Sequence, residues 1–254
     1  MDFELPEELR ILQEQLRRFV DSEIIPNERD AYEADILKPD VRERFEAGVK
    51  ELGLWMFAVP EEYGGQGMGL LAQTIVHEQM GRTIAIPFRK PNIFGPEPAG
   101  VLYHVSDKLK EEYLWPLLRG ERRMCFMQTE PEAGSDPASM RSTAVRDGDH
   151  YVINGYKRFI SNAGIADFGQ LLAATDRSKG SRGITAFLVD LDTPGVKLVR
   201  QQQTMMDDQP WEVALDDVQI PAANRIGEEG EGFKFGQRYI TRGRLRHGAR
   251  ALGA

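Results

Sequence analysis

FMQTEPEAGSD, residues 126–136, separates two parts of the chain that have different hydrophobic patterns. The part before it shows the three- and four-residue spacing of helices, and the part after it shows the short apolar runs of strands. An apolar run, 124–127, leads into a turn that contains Pro131, Gly134 and Ser135. Glycine permits backbone angles that other residues rarely adopt, and serine favours turns. Such a junction can direct several backbone N–H groups at one electron-rich ligand, but an ordinary hairpin loop can have the same composition.

The composition of the chain excludes several classes of protein. Its 254 residues are enough for one large domain or two ordinary ones. A hydrophobic content of 41% and a charged content of 28% are typical of a soluble globular protein. The net charge of −8 and the absence of a long basic run argue against binding to nucleic acid. No apolar stretch approaches the length of a bilayer span, so no membrane association is predicted.

The start of the chain and its single cysteine favour the cytoplasm. The first residues are acidic and lack the apolar core of a signal peptide. Cys125 cannot form an internal disulfide, which agrees with a reducing compartment. The four histidines are widely spaced and neither a zinc-helix motif nor a nucleophile elbow is present, so no metal site is predicted. These histidines are His77, His104, His150 and His247.

The residues before the turn are predicted to form helices. Leu9, Leu12, Leu16 and Phe19 lie on one apolar face of a first helix, which Pro26 interrupts. Glycine and proline positions delimit the others. Further helices are predicted over 39–53, 69–82, 97–105 and 106–118, the last with Ser106 as its N-cap.

The residues after the turn are predicted to form a sheet. The segments 143–146 and 151–154 flank a tight turn at 147–149 and indicate a β-hairpin. Further strands are predicted at 156–160, 169–175, 184–189 and 213–220. No helical pattern intervenes, which favours an antiparallel sheet or barrel over a doubly wound sheet. Pro221 is expected to end the sheet, and helical spacing returns from Gly232.

The chain is therefore predicted to be an α+β protein in three parts. They are an N-terminal all-α domain over 1–121, a middle antiparallel β domain over 122–231, and the first helix of a C-terminal helical bundle over 232–254. The last helix carries apolar groups that need partner helices for burial, and no stop signal precedes its final residue. We expect the sequence to be a piece of a longer chain, with a naturally short chain as the alternative.

Four motifs, taken in order, resemble those of the acyl-CoA dehydrogenase family. They are VPEEYGG at 59–65, TEPEAGSD at 129–136, YVINGYKRFISN at 151–162, and the start of the last helix with GEGF at 230–233, GRL at 243–245 and ALG at 251–253. Four ordered motifs across most of a chain are more specific than a single glycine pattern. The resemblance implies a flavoprotein of fatty acid metabolism that uses FAD to dehydrogenate an acyl-CoA thioester between Cα and Cβ. It also implies that the electrons pass to an electron-transfer flavoprotein.

The resemblance implies a flavin site at the turn and at the end of the long strand that follows. A flavin needs donors where negative charge collects on reduction and a polar contact beside its N5 atom. The implied cofactor contacts are Phe126, Gln128, Thr129, Gly134, Ser135, Phe159, Ile160 and Ser161. Phe159 stands where many relatives have Trp, and Ser161 where many have Thr. From the strand pattern alone, Phe159 could equally be an aromatic residue of the sheet core.

Ser135 and Arg244 are the implied contacts for the CoA part of the substrate. Arg244 could equally be an ordinary surface arginine, because the helix carries five arginines between 238 and 250. This concentration of charge predicts that the helix faces an anion, such as a CoA phosphate, or an acidic partner subunit.

No catalytic base is predicted within 1–254. Relatives use a carboxylate either in the last domain or directly before the arginine that matches Arg244, where this chain has Gly243. Glycine cannot remove a proton. Glu132, where many relatives have Gly, and residues 88–90 are candidate positions for tuning the choice of substrate, but neither selects one.

The family completes its FAD site with residues from a neighbouring subunit, so the resemblance implies a homo-oligomer, either a dimer or a tetramer. Two alternatives stay open. One is a non-catalytic or half-site subunit of a split heteromeric dehydrogenase. The other is an acyl-CoA oxidase or a nitroalkane-oxidase-like flavoenzyme, which would consume oxygen during turnover.

Overall fold

The computed structural model describes residues 4–33, 36–86, 93–204 and 209–254. The chain divides into two compact units. The first unit contains 1–97 together with 241–254, and the second unit contains 98–240. Residues 88–90, the candidate positions for the choice of substrate, lie outside the described residues.

Residues 1–97 of the first unit contribute three helices: α1 (Glu7–Phe19), α2 (Pro39–Glu51) and α3 (Leu70–Gly81). All three lie where the apolar spacing predicts them. The first turn of α1 is acidic and its last turn is basic, which complements the helix dipole. Pro39 is the first residue of α2, and Gly53, with a φ of 69°, follows its end. Two short antiparallel strands, β1 (Tyr32–Glu33) and β2 (Ile36–Leu37), lie between α1 and α2 in the sequence.

The second unit begins with a helical stretch made of two short α-helices. These are α4 (Asp107–Leu109) and α5 (Trp115–Leu118), joined by a π-helical turn at Lys110–Leu114. The predicted N-cap is confirmed, because Ser106 Oγ accepts a hydrogen bond of 3.4 Å from the Leu109 amide. The helix predicted over 97–105 is wrong, since only a short 3₁₀ turn forms at Gly100–His104. Pro96 and Pro98 lack the amide hydrogens that a longer helix would need.

Eight strands form the sheet of the second unit. They are β3 (Met124–Met127), β4 (Thr143–Asp147), β5 (His150–Ile160), β6 (Phe168–Ala174), β7 (Ile184–Asp190), β8 (Val196–Gln201), β9 (Trp211–Pro221) and β10 (Arg225–Ile226). Their order is β10-β7-β6-β4-β5-β9-β8, with β3 also paired to β6. The β4–β5 hairpin is confirmed, and the two segments predicted on either side of Gly155 are one continuous strand. All seven residues of β6 are buried, so β6 is covered on both faces.

The sheet differs from the predicted antiparallel one in two respects. β3 runs parallel to β6, and β4 also meets β6 in parallel at Thr143 and Ala174, so the sheet is mixed. The sheet also continues beyond Pro221, because β10 pairs with β7. β8 was not predicted, and its exposed residues explain why, since they show no alternation of apolar and polar side chains.

The last helix, α6 (Gly232–Gly253), starts where helical spacing returns in the sequence. The division between the two units falls within it, after Ile240. In the first unit α6 contacts α3 backbone to backbone. A Cβ at Gly81 would lie 2.2 Å from the carbonyl oxygen of Arg250, and one at Gly253 would lie 1.8 Å from that of Glu78. Neither position therefore has room for a side chain.

The predicted α+β fold of N-terminal helices, a sheet and a C-terminal helix is confirmed. The predicted domain boundaries stay predictions. No helix in the described ranges is long and apolar enough to span a bilayer.

Candidate functional site

β3 and β4 occupy the same strand position in the sheet, beside β6, and the turn at 128–142 lies between them in the sequence. β3 pairs with β6 as far as Met127 and Leu171, and beyond it the carbonyl of Thr129 accepts a 2.8 Å hydrogen bond from the Arg158 amide of β5. β4 occupies the next part of the same strand position, between β5 and β6. Between the two segments the neighbouring strands lack a backbone partner, and buried carbonyl groups there need other donors.

Lys157 supplies those donors. Its Nζ donates to the carbonyl of Leu172 at 2.7 Å, to the carbonyl of Gln128 at 3.4 Å, and to Glu130 Oε1 at 2.7 Å. An ammonium group has three hydrogens, so all of them are engaged. The side chain is 0% exposed, and a buried charge is tolerated only when it is paired and hydrogen-bonded. Lys157 therefore closes the gap that the turn leaves in the sheet.

Glu130 ties the two ends of the turn together. Besides Lys157, its carboxylate accepts hydrogen bonds from the amides of Arg141 at 2.5 Å and Ser142 at 3.1 Å. Burial alone raises the pKa of Glu130, but the charge of Lys157 and the hydrogen bonds outweigh burial and hold that pKa below its ordinary value. A charged carboxylate thus fixes the start of the turn to its end.

Gly155 lets β5 approach the end of the turn closely. A Cβ at this position would lie 2.1 Å from Ser142 Oγ and 2.8 Å from Ser142 Cα. Next to it, Asn154 and Asp217 exchange two hydrogen bonds of 2.9 Å at an irregularity in the β5–β9 pairing. The Asn-Gly pair of the third motif is therefore explained by the packing of β5.

Phe159 is the most unusual residue of the site. Its φ is 58° and its side chain is 52% exposed, although it belongs to a strand. The β5–β9 register shifts between Lys157 and Ile160, so a bulge turns Phe159 out of the sheet. The interpretation of Phe159 as a core aromatic is therefore wrong. A positive φ at a bulky residue costs about 1–3 kcal/mol, and such strain concentrates at functional sites.

Arg158 covers one side of the Phe159 ring. The guanidinium carbon lies 4.9 Å from the ring centroid, and Arg158 Nε lies 3.4 Å from Glu212 Oε1. Glu212 also accepts hydrogen bonds from Arg200 and Tyr156, which lower its pKa to about 2. A charged carboxylate therefore holds Arg158 beside the exposed ring.

The remaining predicted cofactor residues fall into two groups. Phe126, Thr129, Gly134, Ser135 and Ser161 are half-buried or exposed, whereas Gln128 and Ile160 are buried. Gln128 and Ile160 therefore expose little surface to a ligand.

Two residues of α6 contact Gln128 and Phe126. The helix crosses Gln128 at Gly236, where a Cβ would lie 2.5 Å from the side-chain oxygen of Gln128. The Phe126 ring stacks on Tyr239, with centroids 4.4 Å apart.

Gly134 does not have the glycine-specific backbone conformation that the sequence predicts. Its φ is not positive, and no atom lies within 4 Å of a Cβ built on it. The backbone of this chain therefore does not require glycine at position 134. Asp136 stabilises the end of the turn instead, since its carboxylate accepts a 3.1 Å hydrogen bond from the Ala138 amide.

The motifs and this geometry agree with the comparison to known proteins. The sequence profile of the acyl-CoA dehydrogenase N-terminal domain matches residues 6–121, and that of the acyl-CoA dehydrogenase middle domain matches residues 125–218. The chain belongs to the acyl-CoA dehydrogenase family. Its similarity to the short-chain specific acyl-CoA dehydrogenase of Clostridium acetobutylicum is 34% identity, over 100% of this chain and 66% of that protein.

Two more comparisons within the acyl-CoA dehydrogenase family agree. The glutaryl-CoA dehydrogenase of Desulfococcus multivorans is 37% identical, over 95% of this chain and 63% of its own length. The solved structure of butyryl-CoA dehydrogenase from Megasphaera elsdenii has a TM-score of 0.78 at 29% identity, covering 100% of this chain and 67% of that one. The chain thus spans less than two thirds of the length of the two curated relatives.

The exposed residues fit the flavin of this family. An aromatic ring is presented outward at Phe159, and the hydrogen bond from the Arg158 amide to the Thr129 carbonyl places the backbone of Thr129 beside the residue that precedes Phe159. Ser161 follows two residues later and is half-buried. A flat apolar cover with hydroxyl groups at its edge is what a flavin ring requires. Ser135 and Arg244 are both exposed, Ser135 in the second unit and Arg244 in the first.

The Lys157–Glu130 pair, which anchors the site, was not predicted from the sequence. One signal was present, because Lys157 lies in a strand whose buried positions are otherwise apolar, and an inward-facing lysine needs a buried partner. The described ranges contain no group of three side chains able to hold a metal ion. Cys125 is buried, and burial raises the pKa of its thiol to about 12, which makes it unreactive at neutral pH.

Proposed function

We propose that this chain acts in the FAD-dependent dehydrogenation of an acyl-CoA thioester between Cα and Cβ. The observation that carries the proposal is Phe159, a bulky residue held at positive φ with its ring exposed, beside a turn that a buried ion pair anchors. The family and the named relatives support the same reaction.

The residues of the turn and of β5 would hold FAD. Phe159 would cover the ring system, and the hydroxyls of Thr129 and Ser161 would contact its polar edge. Backbone amides of the turn would stabilise the negative charge that collects on reduction. When bound, FAD supplies the acceptor for the hydride that leaves Cβ. The Lys157–Glu130 pair keeps these groups in position before the substrate binds.

The reaction also removes a proton from Cα, which needs a base. Acidic side chains before α6 are already engaged: Glu228 pairs with Arg225 at 3.0 Å, and Glu229 accepts a hydrogen bond from Tyr151. We assign no base among the described residues. For the CoA part of the substrate we propose contacts with Ser135 and Arg244.

The partners are proposed from the relatives. A structure described as an electron-transferring flavoprotein of Acidaminococcus fermentans matches at 30% identity with a TM-score of 0.79, which supports an electron-transfer flavoprotein as acceptor. The ChsE4–ChsE5 complex of Mycobacterium tuberculosis matches at 28% with a TM-score of 0.73, which supports an oligomer that is either homomeric or a split heteromer. Location in the cytoplasm stays a prediction.

An oxidase is the second candidate. The prolyl acyl carrier protein oxidase AnaB has the same fold, with a TM-score of 0.79 at 28% identity. An oxidase passes its electrons to oxygen, whereas a dehydrogenase needs a protein acceptor.

The test is an anaerobic titration of the FAD-loaded protein with butyryl-CoA. We expect the absorbance band of the oxidised flavin to fall as the α,β-unsaturated thioester forms. Readmitting oxygen should restore the band slowly for a dehydrogenase and at the rate of turnover for an oxidase. A flavin that stays oxidised with both butyryl-CoA and glutaryl-CoA would overturn the proposal.

Phe159→Ala tests the site itself. Loss of an aromatic contact is worth about 0.5–1.5 kcal/mol, so FAD should bind about two- to thirteen-fold more weakly. Val145→Ala removes an equally exposed apolar side chain from β4 and should leave FAD affinity unchanged. Equal effects of the two substitutions would place the flavin elsewhere.

A further inference from the structure

A cluster of charged side chains lies beside the exposed ring of Phe159, where β5 and β9 fall out of register. The register shifts between Lys157 and Ile160. Two residues of β5, Arg158 and Phe159, lie there opposite Glu212 alone. The position opposite the bulge is therefore occupied by an acid.

Glu212 is held in place by donors from both neighbouring strands. Arg200 of β8 donates to its Oε1 at 2.8 Å, and Tyr156 of β5 donates to its Oε2 at 2.7 Å. Gln202 donates to Oε1 at 2.6 Å. The hydrogen bonds of Arg200 and Tyr156 lower the pKa of Glu212 to about 2, so the carboxylate is charged at neutral pH. Its position is therefore fixed by residues other than Arg158.

One carboxylate serves two guanidinium groups in this cluster. Arg200 makes a hydrogen bond to Glu212. Arg158 Nε lies 3.4 Å from Glu212 Oε1 and makes no hydrogen bond among the described residues. An arginine side chain is always charged in proteins. Two cations and one anion therefore leave positive charge in excess.

The excess charge lies against the Phe159 ring. The guanidinium carbon of Arg158 is 4.9 Å from the ring centroid, over the face of the ring. Attraction between the cation and the electrons of the ring stabilises this arrangement. The face that Arg158 covers is closed to a flat ligand, so the opposite face is the one that remains. A ligand stacked on that face has a positive charge behind the ring that it contacts.

A positive charge at this place acts on the redox state of a flavin. Reduction adds negative charge to the flavin ring system, and charges near the ring are among the groups by which a protein tunes it. The carbon ring of Phe159 excludes water from the space between cation and ligand. The attraction is therefore weakened less than it would be through water.

We propose that Arg158, acting through the ring of Phe159, favours the reduced form of bound FAD. The inference rests on the proposed function only in placing FAD against the free face of Phe159. The proposed function gives Arg158 no role. Because Arg158 contacts the ring and not the cofactor, it is a positioning residue.

The test is the reduction potential of the FAD-loaded protein, measured with dithionite against a reference dye and without any acyl-CoA. In Arg158→Gln we expect the potential to fall by about 15–30 mV, which for a two-electron couple is about a three- to ten-fold loss of affinity for reduced FAD relative to oxidised FAD. A substitution that only loosens Phe159 weakens the binding of both forms alike and leaves the potential unchanged. An unchanged potential in Arg158→Gln would overturn the inference.

Two further variants separate charge from packing. Lysine keeps the charge but lacks the planar group, so Arg158→Lys should retain at least about half of the difference between the wild-type protein and Arg158→Gln. Arg146→Gln is the matched control, because Arg146 is an exposed arginine at the other end of the β4–β5 hairpin and donates to the carbonyl of Gly148. It should leave the potential unchanged. A fall in Arg158→Lys or in Arg146→Gln as large as that in Arg158→Gln would contradict the role of the charge on Arg158.

The outcomes for this inference and for the proposed function are distinguishable. A flavin that stays oxidised with acyl-CoA sinks the proposed function, and the potentials measured with dithionite still decide on Arg158. Equal potentials together with normal reduction by acyl-CoA sink the inference alone. Circular dichroism shows whether each variant folds. If Arg158→Gln loses FAD on purification, its affinities for oxidised and for reduced FAD, measured separately, give the same ratio. A wild-type protein that binds no FAD would overturn both.

Discussion

At the scale of single residues, Lys157 and Glu130 decide whether the turn at 128–142 has a fixed shape. The ammonium group replaces the strand backbone that is missing between β3 and β4, and the carboxylate joins the two ends of the turn. Thr129 directly precedes Glu130, and Phe159 follows Lys157 by two residues. The positions of Thr129 and Phe159 therefore depend on the ion pair. The ion pair therefore acts on the flavin site through geometry and not through contact.

Lys157→Met should destabilise the protein strongly. The substitution leaves Glu130 charged and buried without its cation, which costs about 3–5 kcal/mol. Urea unfolding measures the loss. Lys197→Met is the matched control, because Lys197 pairs with Asp216 on the surface and exposed pairs contribute at most about 1 kcal/mol. A loss below about 1 kcal/mol for Lys157→Met would contradict the anchoring role.

His77 should make stability depend on pH. Burial lowers its pKa to about 3 in the folded protein, against 6.5 for an unperturbed histidine. Between these values the unfolded state binds more protons, so the free energy of unfolding falls as pH is lowered from about 6.5. In His77→Leu the slope between pH 6.5 and pH 4 should be shallower, by up to about 1.4 kcal/mol per pH unit. Parallel curves for the two proteins would contradict the neutral buried state of His77.

At the scale of elements, β5 contains two irregularities that have different roles. Near its middle, Gly155 brings the strand against Ser142, and near its end a bulge turns Phe159 outward. The first is a packing requirement and the second exposes a side chain to a ligand. One strand therefore both closes the sheet and presents the site.

Two glycine substitutions separate packing from ligand contact. Gly155→Ala should cost about 1–3 kcal/mol, since the added methyl group meets the backbone of Ser142. Gly134→Ala should change the free energy of unfolding by less than about 0.5 kcal/mol, because its surroundings are open. If the turn at Gly134 contacts FAD closely, the same variant should weaken FAD binding. A large loss of stability in Gly134→Ala would contradict the open environment.

Many of the helices and strands could be predicted from the sequence. α1, α2, α3 and the β4–β5 hairpin follow from local spacing, turn residues and caps. The parallel pairing of β3 with β6 did not follow, because 124 and 168 are far apart in the sequence and periodicity carries no information on partners. The bulge at Phe159 was equally hidden, since nothing in the local pattern distinguishes it from a core position.

At the scale of the whole molecule, the chain belongs to the acyl-CoA dehydrogenase family and has the helices and mixed sheet of its relatives. The candidate cofactor residues came from the resemblance, because no periodicity or charge pattern points to a flavin. The structure adds the physical reason for three motif positions: Glu130, Gly155 and Lys157 build the junction from which the exposed residues project.

The most direct measurement is a native mass spectrum of the protein purified in the presence of FAD. It reports the number of subunits and the flavin content together. We expect an oligomer that carries one FAD for each chain, and a clear loss of flavin in Phe159→Ala. A folded protein that carries no FAD, or the same FAD content in the wild-type protein and in Phe159→Ala, would contradict the flavin site described at the turn and the end of β5.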